Sequence, residues 1–286
     1  MRFLLIFCCF LNVRSGFSQD LPAYQIFNSN GKKTTFSALV KASLTNDVIL
    51  FGELHDDPIA HWMQLELAKA IWKQKGSHLT LGAEMFELHQ AAALENFMEN
   101  GDLKQLQDSA KLWSNFNTDY APLLVWAQSQ HLNYFATNVT RKYASLIFKK
   151  GLTSLDTISD TEKQFMCPLP FPFDSTLSQY KELIEMGKEM HASGIDFALA
   201  QAVKDATMAH SICKHLPPNG IFLHLNGAFH SDFHQGIMWY IEQYRKGTKV
   251  LTISTVSQES LNKLDKEAIG KADFIIVTPA TMTRTM

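Results

Sequence analysis

The stretch Val48-Ile49-Leu50-Phe51-Gly52-Glu53-Leu54-His55-Asp56-Asp57-Pro58 passes from an unbroken apolar run through a glycine into ionisable residues and a proline. The run Val48 to Phe51 reads as a strand covered on both faces. Beyond it, Asp56 or Asp57 offers a capping carboxylate, and Pro58 fits a first helical turn, where no N–H is needed. Ile59, Met63, Leu67 and Ile71 then recur on one helical face until Gly76 closes the helix. A doubly covered strand feeding a helix is half of a β-α-β unit, so this stretch predicts an α/β fold.

Working outward, the same pattern repeats. Strands are expected at His78 to Ala83, Leu132 to Ala136, Gly220 to Asn226, Lys249 to Ser254 and Phe274 to Val277, most of them continuous apolar runs suited to a mainly parallel sheet flanked by helices. Helices are expected from about Pro122 to Gln130 and from about Lys142 to Lys150, the latter closed by Gly151. From Leu152 the alternation stops. Pro168, Pro170 and Pro172 mark a turn-rich segment, and helical stretches follow at Leu177 to Ala192 and Phe197 to His215. Residues 152–215 therefore read as a helical insertion over the carboxyl edge of the sheet, within one domain spanning 20–286.

Residues 1–18 read differently. Arg2 is a short positive n-region, Phe3 to Leu11 is an apolar h-region, and Gly16-Phe17-Ser18 supplies small residues for cleavage after Ser18 or Gln19. That run is far shorter than the ~20 residues of a spanning helix. Cys8 and Cys9 lie inside it behind Ile6-Phe7, where a lipoprotein signal has small residues. The protein is thus expected to be exported, as a periplasmic or outer-membrane-associated domain. With 26 Lys plus Arg against 28 Asp plus Glu, the chain lacks the basic field of a nucleic-acid partner. Cys167 and Cys213 remain beyond the leader and permit one disulfide, far from a disulfide-dense framework.

The ionisable residues fall in a pattern. Glu53 and His55 follow the first strand, Glu84 the second, Asn138 and Arg141 the third, and Gly227-Ala228-Phe229-His230 the fourth. In an open parallel sheet these positions share the carboxyl edge, where ligands of such folds bind. One carboxylate after a strand is ordinarily solvated or capping, but four ionisable groups on one edge point to a pocket. Glu53, His55, Glu84 and His230 suit a divalent transition metal, or a general base with an orienting carboxylate. His61 is either a support for this set or core packing. Lys204, Asp205 and His210 either close the pocket from above or form a solvated helix face.

Met186, Met190 and Met208 are either core or the soft wall that a flat hydrophobic ligand such as haem favours. Trp113, Phe116, Tyr120 and Trp126 supply aromatics, and Tyr120 offers a phenolate to ferric haem. No Cys-x-x-Cys-His sequence is present, so such a haem would be held non-covalently.

Several motifs together resemble a known family. They are Gly52-Glu53-Leu54-His55-Asp56 with His61 and Gln64, Gly82-Ala83-Glu84-Met85-Phe86, Asn138 to Leu152, Gln201 to Ala209, and Gly227-Ala228-Phe229-His230. In this order, from about Asp47 to Ile241, they are similar to the ChaN-like haem-binding uptake family. The paired Gly-x-x-His motifs with an intervening Glu link it to the wider superfamily of Tiki-type metalloproteases and erythromycin esterases. The resemblance implies an exported haem-binding protein involved in haem and iron uptake, with haem held between two subunits through tyrosine. A homodimer and an outer-membrane uptake system are the partners implied. Tyr120, Arg141, Met186, Met190 and Met208 are the candidate cofactor contacts. The hydrolase relatives imply an alternative, a metal-dependent hydrolase using Glu53, His55, Glu84 and His230. The second motif, with Ala228-Phe229, is less rich in glycine and histidine than the family pattern.

Overall fold

Every strand expected from the apolar runs is present in the computed structural model, which describes residues 21–189 and 193–285. The strands are β1 (Gln25–Asn28), β2 (Lys33–Thr34), β3 (Val48–Glu53), β4 (Leu79–Glu87), β5 (Asn133–Asn138), β6 (Ile221–Gly227), β7 (Val250–Gln258) and β8 (Phe274–Pro279). They form one sheet in the order β2-β1-β8-β7-β3-β6-β4-β5. From β8 to β5 every neighbouring pair is parallel. Only β1 and β2 run antiparallel, at the β8 edge. The leader expected at residues 1–18 lies outside the described residues.

Parallel strands need long crossovers, and the helices supply them. One layer holds α1 (Phe36–Ser43), α2 (Pro58–Lys75), α3 (Ala91–Asn100), α4 (Leu103–Ser109) and α5 (Ala121–Ser129). The other side carries α6 (Arg141–Lys150), α7 (Asp160–Lys163), α8 (Ser178–Glu189), α9 (Gly194–His215) and α10 (Ile237–Tyr244). Strand alternation divides the core between them. Ile49, Phe51, Leu223 and Leu225 pack with Met63, Leu67 and Ile71 of α2, whereas Val48, Leu50 and Phe222 pack with Ala202, Val203 and Ala206 of α9. A small third cluster, Phe27, Ile275 and Val277 with Leu264, Ala268 and Ala272, seals the β8 side. Among the described residues no helix is long and apolar enough to cross a membrane.

Two local features set the site. Asp57, not Asp56, caps α2, accepting from the backbone N–H of Ile59 and Ala60 at 3.0 Å. Its other oxygen accepts from Thr278 Oγ1 at 2.6 Å and Arg284 at 3.1 Å, so this buried carboxylate is fully partnered. On β4 the register slips. Ala83 pairs with Ala136 and Glu87 with Asn138, leaving Glu84, Met85 and Phe86 to arch past one partner residue. That bulge carries the strand beyond the end expected at Ala83 and presents Glu84 at the carboxyl edge.

The helical segment after Leu152 packs on the second face, where α9 is the crossover from β5 to β6. Its middle reaches the carboxyl edge through Gln201 and Asp205. Cys167 is buried, Cys213 is half-buried, and both are free thiols.

Candidate functional site

Glu53 ends β3 and His55 lies two residues beyond it, in a turn that lays the imidazole against the carboxylate. His55 Nδ1 lies 3.0 Å from Glu53 Oε1. The Tyr120 hydroxyl donates to the same oxygen at 2.5 Å, and the Gln64 amide donates to Oε2. Burial pushes the Glu53 carboxyl up, but the His55 hydrogen bond and the charges of His61 and His55 outweigh it and hold the group below its ordinary range. At His55 burial pushes down, and the Glu53 hydrogen bond with the Glu84 and Glu53 charges raises the imidazole above its ordinary value.

Glu84 and His230 form a second pair across β4 and β6. His230 Nε2 lies 3.1 Å from Glu84 Oε1, while Glu84 Oε2 accepts from the Gly227 backbone N–H at 2.7 Å. On its other side His230 Nδ1 contacts Asp205 of α9, whose second oxygen accepts from Tyr180 at 2.7 Å. Burial opposes the charge on His230, yet the carboxylates of Glu84 and Asp205 raise it to about 9. Glu84, driven up by burial, is carried well below its ordinary range by the His230 charge. Asp205 is pushed up by its burial.

Gly227 joins the pairs. A Cβ there would come within 2.9 Å of His55 Nε2 and 3.5 Å of Glu84 Oε2, so the bare backbone lets the imidazole lie over the β6 end. Gly52 is as constrained, since a Cβ would sit 2.8 Å from Ala228 Cα and the Ile253 carbonyl. The four edge residues therefore gather at one place. Of these side chains His55 is the open one, 36% exposed against 2% for Glu53. Trp113 packs its ring against His55 with centroids 4.7 Å apart, and Tyr120 against Trp113 at 5.4 Å.

Support comes from His61, for which the sequence left support and core packing both open, and from Asn115, Asp119, Thr285, His224 and Asn226, which it did not single out. His61 contacts Gln64 Oε1 at 3.1 Å and the His55 carbonyl at 3.2 Å, so it is both buried and part of the site's framework. Asn115 donates to the His55 carbonyl at 2.7 Å and to Asp119 at 2.6 Å. Thr285 in turn bonds Asp119 and, through its N–H, the Asp56 carbonyl at 3.1 Å. Beneath the site, buried His224 bridges Thr137 Oγ1 at 2.8 Å and Asn226 Oδ1 at 3.1 Å, and burial pushes it down to about 4. Asn226 then donates to the Gly227 carbonyl and to Ser231 Oγ, both at 3.0 Å, fixing the turn that bears His230. The signal for His224 and Asn226 was their alternation inside an apolar strand. Asn115 and Asn138 each keep a buried side-chain oxygen with no hydrogen-bond partner among the described residues.

Other candidates are placed elsewhere. Tyr120 is 3% exposed, and burial followed by the Glu53 charge raises its hydroxyl pKa, so it acts as a donor to Glu53 and not as an open phenolate. Of the two readings open for the methionines, Met208 on α9 takes the core one, whereas Met186 on α8 is 40% exposed. Met190 lies outside the described residues. Arg141 is exposed at the start of α6, with its backbone N–H on Glu87. Lys204 is half-buried, and His210 packs edge-on against Tyr244 of α10. Among the described residues no three His, Cys, Asp or Glu side chains are arranged to hold a metal ion. The cluster pairs each imidazole with a carboxylate in place of converging all four, so the divalent-metal expectation finds no support in the geometry.

Comparisons with known proteins now bear on this arrangement. Residues 39–241 match a family described as haem-binding uptake, Tiki superfamily, ChaN. The fold is similar to a solved structure of cofacial haem binding to ChaN of Campylobacter jejuni. That likeness has 19% identity and a TM-score of 0.66, covering 89% of this chain and 96% of that one. A Bacillus cereus crystal structure is similar at 12% identity and a TM-score of 0.51, covering 90% of this chain and 95% of that one. No curated protein matches the sequence. At these identities the solved structures show the fold alone, but the family match spans most of the molecule and contains Glu53, His55, Glu84 and His230. The chain belongs to the haem-binding uptake family of the Tiki superfamily that includes ChaN.

Proposed function

We propose that the protein binds haem non-covalently and serves haem and iron uptake from an exported position. Membership of the haem-binding uptake family supports the ligand class, and one observation on the site carries the reading: an imidazole, His55, stands open beside Trp113 at the mouth of an otherwise buried cluster. A flat macrocycle needs an accessible aromatic edge and a donor side chain facing it, and this donor set fits. When bound, haem would supply iron and the redox and ligand-binding chemistry of that iron.

The chain's own residues bind and orient. Trp113 and His55 would line the opening, and Gly227 leaves it free of a side chain at the β6 end. Asn115 and His61, both on the His55 carbonyl, hold the turn that presents the imidazole. Export through residues 1–18, a homodimer, and delivery to an outer-membrane uptake system belong to the same proposal.

The test is a haemin titration of the chain beginning at Gln19 or Asp20, followed by absorption. A saturable change in the Soret band with micromolar or tighter affinity is expected, and a linear response without saturation would remove haem from the reading. Sedimentation of the same samples reads the homodimer, and the N-terminal residue of protein from its native host reads the cleavage.

A further inference from the structure

A sheet that ends in a strand without charges or proline leaves a row of backbone groups ready to pair with another chain. This sheet ends in such a strand at β5, whose one ladder among the described residues is with β4. On its outer side no hydrogen bond among the described residues reaches the backbone of Asn133–Asn138. The opposite edge is blunted, because β2 there is two residues long and contains Lys33. β5 has six residues, Asn-Tyr-Phe-Ala-Thr-Asn, and none of them is charged or a proline. What guards this edge is a trench. Two cavities of about 260 and 180 Å³ share Glu95, Tyr134 and Phe135, and together they follow β5 from Leu132 to Ala136. α3 forms one wall with Glu95, Met98 and Glu99. Phe165, Lys214 and His215 form the other, where His215 stacks on Phe135 at 3.9 Å. At about 3.3 Å for each extended residue, the floor seats one strand of about five residues. A second copy's β5 is badly placed to enter, since it lies at the floor of an identical trench and the walls of the two copies would meet first.

The walls indicate the chemistry of an occupant. Glu95 and Glu99 are exposed one turn apart on α3, and neither has a cationic partner among the described residues. The last turn of α3 holds Glu99 and no basic residue, so this carboxylate adds to the negative end of the helix dipole where a cation would offset it. The α3 wall therefore attracts positive charge. The facing wall does not, because it presents the rings of Phe165 and His215 with Lys214 beside them.

We propose that β5 is a docking edge for an extended segment of another protein, which adds to the sheet as a further strand with basic side chains toward Glu95 and Glu99 and apolar side chains toward Phe165. Successive side chains of a strand point to opposite faces, so the segment alternates basic and apolar residues. Backbone pairing with β5 supplies affinity, and the two unlike walls supply selectivity. Docking here is independent of haem, since the trench needs no ligand at the Glu53, His55, Glu84 and His230 cluster.

The probe is a blocked, fluorescently labelled heptapeptide of alternating valine and lysine, titrated into the full mature chain at low salt. Saturable binding is expected, together with slowed hydrogen exchange at backbone amides of Asn133–Asn138. Of two further peptides, N-methylated at the odd or at the even positions, the one that loses the donors facing β5 should fail to bind. A peptide of alternating valine and glutamate should not bind. The double variant Glu95→Lys, Glu99→Lys should weaken binding of the lysine peptide about tenfold or more. Both positions are exposed and a lysine suits the helix end, so the variant's melting temperature should not fall. No saturable binding at millimolar peptide, undiminished binding of both methylated peptides, or equal binding by the double variant overturns the proposal. A dimer, seen by sedimentation, that by itself protects the β5 amides also overturns it, because a second copy would then be the occupant.

Discussion

His230→Gln should erase a stability loss that the unmodified protein shows between neutral and alkaline pH. The imidazole is buried between Glu84 of β4 and Asp205 of α9, with Gln201 also within 3.0 Å, and its pKa is raised to about 9 against an ordinary 6.5. A group whose pKa is higher in the folded state binds its proton more tightly there. Its stabilisation is complete below pH 6.5 and is lost as pH rises through about 9. The interval is roughly 2.5 pH units, and at about 1.36 kcal/mol for each the linked stabilisation is about 3 kcal/mol. Urea unfolding followed by circular dichroism, at about pH 6 and about pH 9, measures it as the difference between the two proteins' pH responses. Other histidines titrate equally in both and cancel. The variant should also be less stable at the lower pH, by about 3–5 kcal/mol, because Glu84 and Asp205 lose a buried cationic partner. Parallel responses in the two proteins would refute the reasoning, showing that the His230 proton is no better held in the fold than in the unfolded chain.

Three further outcomes follow from packing and capping. Gly227→Ala should displace the His55 ring, because the new Cβ would lie 2.9 Å from Nε2, and should cost about 1–3 kcal/mol; thermal melts and the His55 imidazole resonances read the two effects. Asp57→Ala removes the α2 cap and takes from Thr278 and Arg284 their nearer acceptor, so chemical denaturation should show a loss of about 2 kcal/mol or more. Met208→Ala should cost about 2–5 kcal/mol in the same assay, whereas Met186→Ala, at an exposed position of α8, should stay within about 0.5 kcal/mol.

The sequence was most informative where burial enforces a pattern. Strands β3, β4 and β6 are covered on both faces, so their apolar runs announced them and their ends located Glu53, Glu84 and His230. β1 and β2 escaped notice because they are short and antiparallel at an edge, with little uninterrupted apolar sequence to mark them. The β4 bulge was hidden too, since a register slip is a property of two strands and leaves no mark in one. Spacing gave the cluster but not its pairing. Whether two carboxylates and two imidazoles converge on a metal or divide into couples depends on ångström placement by residues far away, such as Gln64 and Tyr180. The methionines stayed ambiguous for a related reason. Helical periodicity assigns a face, and α9 is buried around most of its circumference, so spacing left core and ligand wall both open for Met208, which is core.

The bonds from Arg284 and Thr285 have a consequence for the order of events during synthesis. A ribosome makes the chain from its N-terminus, so Asp57 and Asp119 emerge more than a hundred residues before the partners that complete them. Asp119 belongs to the Phe116–Tyr120 turn, which carries Tyr120 and adjoins Trp113 beside His55. This cover is therefore pinned only once Arg284 and Thr285 have joined the fold, and it is the part of the site through which a ligand would enter.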